Sequence, residues 1–411
     1  MTGRRVLTAV ALAAIAGGLC PSGSVAAQPP SPGPSCPALW VLGVQGTGES
    51  SPAASPTADT GMLGHLLGPV AGAAPGLVAR SYVAYVASFG GAIGTGGGTD
   101  PYTHSAGQGV AALSATAAQI AADCPNTALA AAGYSQGAQV VSSFAQAVGA
   151  GEGPVASDRI AGIALYSDPD RAPGSPVIPG RPGQLTPDPA PGTSGAAVSG
   201  VVISTAPASG GGIATTAGAD YGALTGRVVD VCVEGDLSCS APERAVLLRV
   251  AAQLAAQADL RDPIAALGSI QALLSVALGD AWTTLVNNDF HLGPGFVDYV
   301  PAASLAQRLI DAADSRTPAP TAPEAAAASA RWAQITAVVA ADPITQLPNL
   351  AARLSAAWGQ LVTDNADLLD PAVLLRFADI PGHHTGYAAS GQLASGVAWM
   401  TALAHDLAGR H

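Results

Sequence analysis

Apolar runs alternate with stretches of helical spacing through the first 240 residues of the chain. The pattern predicts buried strands over residues 39–44, 77–86, 127–132, 160–166 and 228–231, and helices over 110–122 and about 137–148. Unbroken apolar strands that alternate with helices are typical of a parallel sheet covered on both faces. We therefore predict an α/β fold, a three-layer sandwich with a central, mostly parallel sheet, over residues 36–240.

The pattern changes after residue 240. Residues 242–312 and 322–375 are rich in Ala and Leu at helical spacing and show no strand pattern. Such stretches are too long for a simple connection between two elements. We interpret 241–375 as a helical insertion that caps the sheet. The C-terminal segment that follows, 376–411, ends in a predicted helix from about Leu393 to Leu407.

The N-terminus has the pattern of an export signal. Arg4 and Arg5 precede an apolar stretch over 6–19, and small residues follow at 24–27. This apolar stretch is too short to span a bilayer, and the flanks are those of a signal peptide. We predict a signal peptide over 1–27 and a Pro/Ser-rich linker over 28–35. The mature protein is then secreted, either extracellular or in the cell envelope.

The charge of the chain narrows the range of its partners. All 16 Lys and Arg residues are arginines, so chemistry that needs a P-loop lysine or a Schiff-base lysine is excluded. Removal of the two arginines in the signal peptide takes the net charge from −12 to −14. An acidic surface repels phosphate backbones, and we expect no nucleic-acid partner.

Four cysteines remain in the mature chain, Cys36, Cys124, Cys232 and Cys239. An even number in an exported protein predicts two disulfides, and four cysteines allow three pairings. We expect no cofactor. The glycine cluster over 94–99 begins like a dinucleotide fingerprint, but Thr99 stands where the third glycine belongs, and Asp100-Pro101 interrupts the helix that should follow. No His, Cys or acidic cluster has metal-ligand spacing.

The segment Gly133-Tyr134-Ser135-Gln136-Gly137 is a G-x-S-x-G motif between a predicted strand and a predicted helix. There the serine can sit on a tight turn, with flanking glycines that leave its hydroxyl accessible. A serine nucleophile also needs a base, a carboxylate that orients the base, and donors for the oxyanion. The motif therefore predicts a serine hydrolase with Ser135 as nucleophile.

The candidate acid is Asp236. It lies at the end of a predicted strand, within Cys232-Val233-Glu234-Gly235-Asp236-Leu237-Ser238-Cys239. In α/β hydrolases the residues follow in the order Ser, Asp or Glu, His, and Asp236 fits this order. A disulfide across seven positions would hold the carboxylate still. The alternative role for Asp236 is that of a turn residue that caps the cysteine loop.

Taken together, four segments resemble the cutinase family of secreted serine esterases. They are Gln45-Gly46-Thr47-Gly48-Glu49, Asp123-Cys124-Pro125-Asn126-Thr127, the segment from Gly133 to Ala138, and the Cys-x3-Asp-x2-Cys loop at 232–239. The resemblance covers about residues 36–240 and the C-terminal end.

The resemblance implies a cutinase-like α/β hydrolase with Ser135 as nucleophile and Asp236 as acid. It also implies an oxyanion hole formed by the backbone N–H of Gln136 and by Thr47, and a bridge between Cys36 and Cys124. Family members usually carry an arginine at the position of Gln45, so this chain departs from the family's local ion pairing. The resemblance makes Asp168, which also follows a strand, a structural turn residue.

Three histidines are candidates for the base of the predicted triad. His384 begins His384-Thr385-Gly386-Tyr387, which matches the His-x-x-Tyr of the family and precedes the final helix. His291 lies closer to Asp236 along the chain, and His383 is the neighbour of His384. We favour His384 and keep His291 and His383 as alternatives. The helical insertion then lies between the acid and the base.

The sequence therefore predicts a secreted serine carboxylic-ester hydrolase that cleaves lipid or fatty-acyl esters through a Ser-Asp-His triad. An esterase for short acyl groups or for polysaccharide acetyl groups is an alternative with the same fold. A non-catalytic protein that binds the envelope is an alternative of another class. We expect a monomer whose partners are its ester substrate and a lipid surface or the cell envelope.

Overall fold

Five parallel strands form the central sheet, in the order β2-β1-β3-β4-β5. They are β1 (Leu39–Val44), β2 (Val78–Tyr82), β3 (Ala128–Tyr134), β4 (Ile160–Tyr166) and β5 (Val228–Val231). The structure is a computed structural model that describes residues 36–96, 98–215 and 218–410. The predicted signal peptide and linker lie outside the described residues.

Helices cover both faces of this sheet, and β1 shows how. Its residues alternate, so that Leu39 and Val41 face one hydrophobic core while Trp40, Leu42 and Val44 face the other. The first core is covered by α1 (Gly61–Ala73) and α11 (Ala394–Ala408), and the second by α2 (Tyr102–Asp123) and α3 (Gln136–Ala150). The predicted three-layer α/β sandwich is confirmed.

Some boundaries differ from the prediction. The strand predicted over 77–86 ends at Tyr82 in β2, and the chain continues without regular pairing. Helix α1 was absent from the prediction because it contains Pro69 and several glycines, which disfavour a helix in isolation. Its buried residues Leu63, Leu66 and Leu67 pack onto the core, so tertiary packing stabilises the helix despite its poor propensity.

The insertion is mostly helical. Its helices are α4 (Val246–Gln257), α5 (Pro263–Asn288), α6 (Leu305–Ala313), α7 (Ala322–Ala341), α8 (Pro343–Thr363) and α9 (Pro371–Arg376). Helix α10 (Ile380–Thr385) follows in the C-terminal segment. The expectation that the insertion contains no strand is wrong. An antiparallel hairpin joins β6 (Phe290–Gly293) to β7 (Phe296–Tyr299). Strands of four residues are too short to produce a recognisable alternation in the sequence.

The two ends of the insertion meet. Arg244 Nε donates to Asp367 Oδ1 at 3.0 Å, and the Leu247 N–H donates to Asn365 Oδ1 at 2.7 Å. The backbone N–H of Asp367 in turn donates to the Arg244 carbonyl at 3.1 Å. The chain therefore leaves the sandwich and returns to it at nearly the same place.

Two disulfides are present, Cys36–Cys124 and Cys232–Cys239, as the even cysteine count predicted. The first links Cys36, three residues before β1, to the end of α2, across 88 positions. In the chain-entropy account, closing a loop of this length stabilises the fold by about 4–5 kcal/mol.

A buried carboxylate makes the stability of the sheet depend on pH. Asp230 lies on β5 and is 3% exposed, and its Oδ1 has no hydrogen-bond partner among the described residues. Burial raises the pKa of Asp230 to about 7, against the opposing attraction of Arg171. A carboxyl whose pKa is raised by folding stabilises the fold while it is protonated. This contribution is lost as the pH rises from the pKa of the carboxyl in the unfolded state through its pKa in the folded state.

We expect Asp230→Asn to remove this pH dependence, because the amide has the same shape and carries no charge. Between pH 5.5 and pH 7 the wild type should lose about 2 kcal/mol more unfolding free energy than the variant. Urea unfolding at both pH values measures the difference. The exposed Asp158→Asn is the matched control and should follow the wild type. Equal pH dependence in wild type and Asp230→Asn would contradict the assignment.

Candidate active site

Ser135 lies on the tight turn between β3 and α3, with backbone angles φ 54° and ψ −121°. A residue other than glycine rarely adopts a positive φ, and such strain is typical of functional turns. Both flanking glycines are required. A Cβ atom at Gly133 would collide with the Gly137 carbonyl, and one at Gly137 would collide with the Val44 carbonyl. The turn therefore presents the serine at the carboxyl end of the central strand.

The predicted oxyanion donors lie beside this turn. Gln136 is the first residue of α3, and the first N–H groups of a helix have no partner within it. Its buried side chain is fixed, since the amide donates to the carbonyls of Ser88 and Tyr102 at 3.1 and 3.2 Å. The Thr47 hydroxyl, which follows β1, donates to Gln136 Oε1 at 3.4 Å. Thr47 and Gln136, from two elements, thus meet next to Ser135.

Asp236 is held in place from several sides and is fully buried. Its Oδ1 lies 2.9 Å from His384 Nδ1 and accepts from the Ser238 N–H at 3.0 Å. Its Oδ2 accepts from the Tyr387 hydroxyl at 2.8 Å. Burial by itself raises the pKa of the Asp236 carboxyl, but His384 and the hydroxyls of Ser167 and Tyr387 outweigh it and hold the pKa below its usual value. The carboxylate is therefore charged at neutral pH.

An ionised carboxylate can only accept hydrogen bonds, so the proton on the His384 ring is on Nδ1. The other nitrogen, Nε2, then has a free lone pair. Among the described residues, no hydrogen bond joins the Ser135 hydroxyl to the ring, although both side chains line the same cavity. Contacts of this kind commonly tighten only when substrate binds.

His384 lies in α10, in the C-terminal segment just after the insertion. Its carbonyl accepts from the Tyr134 hydroxyl at 2.7 Å, which ties α10 to the residue before Ser135. Gly235, with φ +87°, permits the close packing of α10 on the cysteine loop. A Cβ atom at this position would lie 2.8 Å from both the His383 ring and the Arg376 carbonyl.

The cavity has a volume of about 280 Å³ and is lined mainly by apolar side chains. Its wall includes Thr47, Ser135, Asp236 and His384. Its apolar lining includes Phe89, Ile213, Leu237, Ala252, Ala256 and Ile380. Because α4 supplies Ala252 and Ala256, the insertion forms part of the wall.

The two alternative histidines lie elsewhere. His291 is exposed on β6, and neither it nor His383 is among the residues that line the cavity. His383 packs with its ring against Gly235 instead. Of the three candidates, only His384 hydrogen-bonds to Asp236.

The departure at Gln45 has a clear structural consequence. The Gln45 amide donates to the Thr60 carbonyl, and its oxygen accepts from the Leu63 N–H at 3.3 Å. Glu49 accepts from the N–H groups of Gly46 and Met62 at 3.1 and 2.9 Å. The N–H groups of Met62 and Leu63, in the first turn of α1, thereby gain hydrogen-bond partners that the helix itself cannot supply. Without a paired cation, burial raises the pKa of Glu49.

Sequence reasoning missed one residue of the site. The Ser167 hydroxyl lies 3.0 Å from His384 Nδ1. No motif marks this serine, because its position depends on the register of β4 beside β5. Among the described residues, no group of three or more His, Cys, Asp or Glu side chains could hold a metal ion.

A parallel sheet with a strained serine after its central strand, and an Asp–His pair at the same edge, defines the α/β-hydrolase class. The model of the family described as "Cutinase" matches residues 35–248, a little over half of the chain. The protein therefore belongs to the cutinase family.

One curated relative is the "Carboxylesterase Culp6 homolog" of Corynebacterium glutamicum. It is 28% identical over 146 residues, which are 34% of this chain and 44% of the relative. The chain thus matches less than half the length of this relative.

Two solved structures are similar in fold. The catalytic core domain of acetyl xylan esterase from Trichoderma reesei is 21% identical with a TM-score of 0.37, and the match covers 58% of this chain and 99% of that one. A cutinase-like protein from Cryptococcus sp. is 20% identical with a TM-score of 0.31, covering 50% of this chain and 80% of that one. Neither likeness bears on the substrate of this chain.

The geometry predicts which histidine is essential for ester hydrolysis. His384→Ala should lower kcat on p-nitrophenyl butyrate by at least about a thousandfold, because it removes the imidazole that hydrogen-bonds to Asp236. His383→Ala is the matched neighbour, and His291→Ala is the distant control. Both control variants should keep kcat within about threefold of wild type, because neither substitution changes a reacting group. An inactive His291→Ala beside an active His384→Ala would contradict the assignment.

Proposed function

We propose that this protein is a serine carboxylic-ester hydrolase that works through an acyl-enzyme intermediate. The observation that carries the proposal is the hydrogen bond from His384 Nδ1 to the buried Asp236, beside a cavity shared with Ser135. This pairing leaves His384 Nε2 free to act as a base. The nucleophile, the base and the orienting carboxylate then have the roles of a catalytic triad.

The mechanism follows from this arrangement. His384 Nε2 takes the proton of the Ser135 hydroxyl as Oγ attacks the ester carbonyl carbon. The backbone N–H of Gln136 and the side chain of Thr47 stabilise the negative oxygen of the tetrahedral intermediate. The imidazolium then gives its proton to the departing alcohol oxygen, which leaves an acyl group on Ser135. In the second half, His384 takes a proton from water as the water attacks the acyl carbonyl. It then gives this proton to Ser135 Oγ as the bond between Oγ and the acyl carbon breaks and the carboxylic acid leaves.

We propose a lipid or fatty-acyl ester as the substrate. Support comes from the apolar lining of the cavity, which suits an acyl chain better than a sugar. The wall formed by α4 also narrows the approach of a bulky polymer. Hydrolysis of short-chain or polysaccharide acetyl esters remains the second candidate within the family, and a non-catalytic envelope-binding role the third.

Export is part of the proposal. The support is the sequence pattern over 1–27 together with the two disulfides, which persist in oxidising compartments. An extracellular or envelope location would also bring the protein to lipid esters.

We further propose that the cap contacts a lipid surface. Of the 21 exposed large apolar residues of the described chain, three precede residue 241 and the other 18 lie within 241–375. Helix α5 is long and apolar enough to span a membrane by length and composition, and only 11% of its most apolar 18-residue stretch is buried. Trp282, Trp332 and Trp358 are also partly exposed there, and tryptophan favours membrane interfaces.

The charge of the chain favours an uncharged or zwitterionic surface over an anionic one. The protein carries a net charge of −12 and has no lysine. Attraction to anionic lipids depends on clustered basic residues, which are lacking here. Contact with a surface would therefore rest on the apolar side chains of the cap.

The acyl-chain preference tests the substrate proposal. On p-nitrophenyl esters from acetate to palmitate, kcat/KM should rise by roughly threefold for each methylene that the cavity buries. Ala256→Phe fills the wall of the cavity and should lower activity on long chains while activity on acetate is retained. Ala251→Phe, exposed on the same helix, is the matched control. A maximum at acetate in the wild type would favour the acetyl-esterase alternative.

Ser135→Ala provides the control for chemistry in the same series, since it should abolish turnover on every ester. A fluorophosphonate probe should label the wild type and leave Ser135→Ala unlabelled. A wild type that neither reacts with the probe nor hydrolyses esters would support the non-catalytic binder instead.

The lipid contact is tested by flotation with phosphatidylcholine vesicles. We expect the wild type to float with the vesicles at low and at high salt, because apolar contact is not screened. The double variant Ile264→Ser/Leu267→Ser removes two exposed side chains of α5 and should weaken binding by at least about tenfold. Leu185→Ser/Val202→Ser, which alters exposed apolar residues of the sandwich, is the control. Absence of wild-type flotation would contradict the proposal.

A further inference from the structure

Ser167 is a strained residue in the candidate site. Among the described residues, only Ala87, Ser135 and Ser167 have a positive φ without being glycine, and φ of Ser167 is 59°. Glycine adopts this conformation without cost, whereas a side chain there is strained. One of the other two is the candidate nucleophile. A serine held in this conformation next to the same cavity raises the question of what its hydroxyl does.

The backbone around Ser167 is fixed by two neighbours. Its N–H donates to the Val231 carbonyl at 3.0 Å, which continues the pairing of β4 with β5. Its carbonyl accepts from the Ser238 hydroxyl, also at 3.0 Å, within the cysteine loop. The residue is fully buried. Its hydroxyl therefore has a defined position, 3.0 Å from His384 Nδ1.

The proton count at this point permits one arrangement. Nδ1 carries one hydrogen and has two oxygens within reach, Asp236 Oδ1 at 2.9 Å and Ser167 Oγ at 3.0 Å. Both oxygens accept from this N–H, because the carboxylate has no proton to give. The Ser167 hydroxyl also helps to keep the pKa of Asp236 below its usual value. Ser167 Oγ and Asp236 Oδ1 therefore both lie against the same N–H of His384.

We propose that Ser167 is a positioning residue that fixes the ring orientation and tautomer of His384. The inference rests on the proposed function, in which His384 Nε2 is the base. The His384 side chain is 28% exposed and lies in a helix of six residues, with the Tyr134 ring packed beside it at 5.3 Å between centroids. A single hydrogen bond to Asp236 leaves the ring free to tilt about that bond. A second acceptor from the end of β4 defines the plane of the ring.

Two substitutions separate the hydroxyl from the backbone. Ser167→Ala removes the hydroxyl and keeps the strain, whereas Ser167→Gly removes both. If the hydroxyl positions the base, both variants should lose about tenfold in kcat with KM within twofold of wild type, as for an interaction that acts on the transition state. Their melting temperatures should differ, with Ser167→Gly above Ser167→Ala. The loss of kcat would then track the loss of the hydroxyl, and the difference in melting temperature would track the backbone strain.

The matched control is Ser240→Ala. Ser240 is a fully buried serine close to the same loop, and its hydroxyl has no hydrogen-bond partner among the described residues. Its removal should leave kcat within twofold of wild type. Retention of wild-type kcat by Ser167→Ala would overturn the proposal. Loss of activity in Ser167→Ala with full recovery in Ser167→Gly would also overturn it, because the backbone and not the hydroxyl would then matter.

A spectroscopic readout makes the test independent of turnover. The His384 Nδ1 proton should give a downfield proton NMR resonance that persists in Ser135→Ala, and both Ser167 variants should shift or broaden it. An unchanged resonance in both would contradict the proposal. If Ser135→Ala retained esterase activity, the proposed function would fail, while the effect of Ser167 on this resonance would still be measurable.

Discussion

The site depends on one buried charge. Asp236 is ionised and has no contact with solvent, so its charge has to be compensated by hydrogen bonds from the protein. Two parts of the chain provide them: the cysteine loop itself through Ser238, and the C-terminal segment through His384 and Tyr387. The same contacts that stabilise the carboxylate also bring the base to the edge of the sheet where Ser135 lies.

The contact between acid and base spans 148 positions of the chain. The insertion does not separate them in space, because its ends pair with each other through Arg244 and Asp367. The cost of closing a chain loop rises only slowly with length, and the insertion offsets it with hydrophobic clusters of its own. A helical cap could therefore be placed between acid and base without disturbing the pair. In this position, α4 also becomes a wall of the cavity.

The insertion differs from the sandwich in what it exposes. The sandwich buries its apolar residues on both sides of the sheet, whereas the cap leaves most of the exposed large apolar residues of the described chain facing outward. Ion pairs hold the cap to the sandwich, such as Arg316 with Asp170 at 2.9 Å and Arg376 with Glu234 at 2.7 Å. Polar contacts therefore hold the cap to the sandwich, while the outer surface of the cap is apolar. This division fits the proposed contact with lipid.

The sequence by itself determined the sheet, the strained serine turn and the candidate acid. Each is encoded within a few adjacent residues: an apolar run for a strand, two glycines around Ser135, and two cysteines around Asp236. Helix α1 was not predictable, because its helix propensity is poor and only tertiary packing stabilises it. The β6–β7 hairpin was not predictable, because its strands are too short to show an alternating pattern. Only the tertiary structure showed which of His384, His291 and His383 hydrogen-bonds to Asp236, and only it revealed Ser167. The contact between Asp236 and His384 and the position of Ser167 depend on which strand ends and helix ends meet at the edge of the sheet. No local sequence pattern encodes the distance between residues that are far apart in the chain.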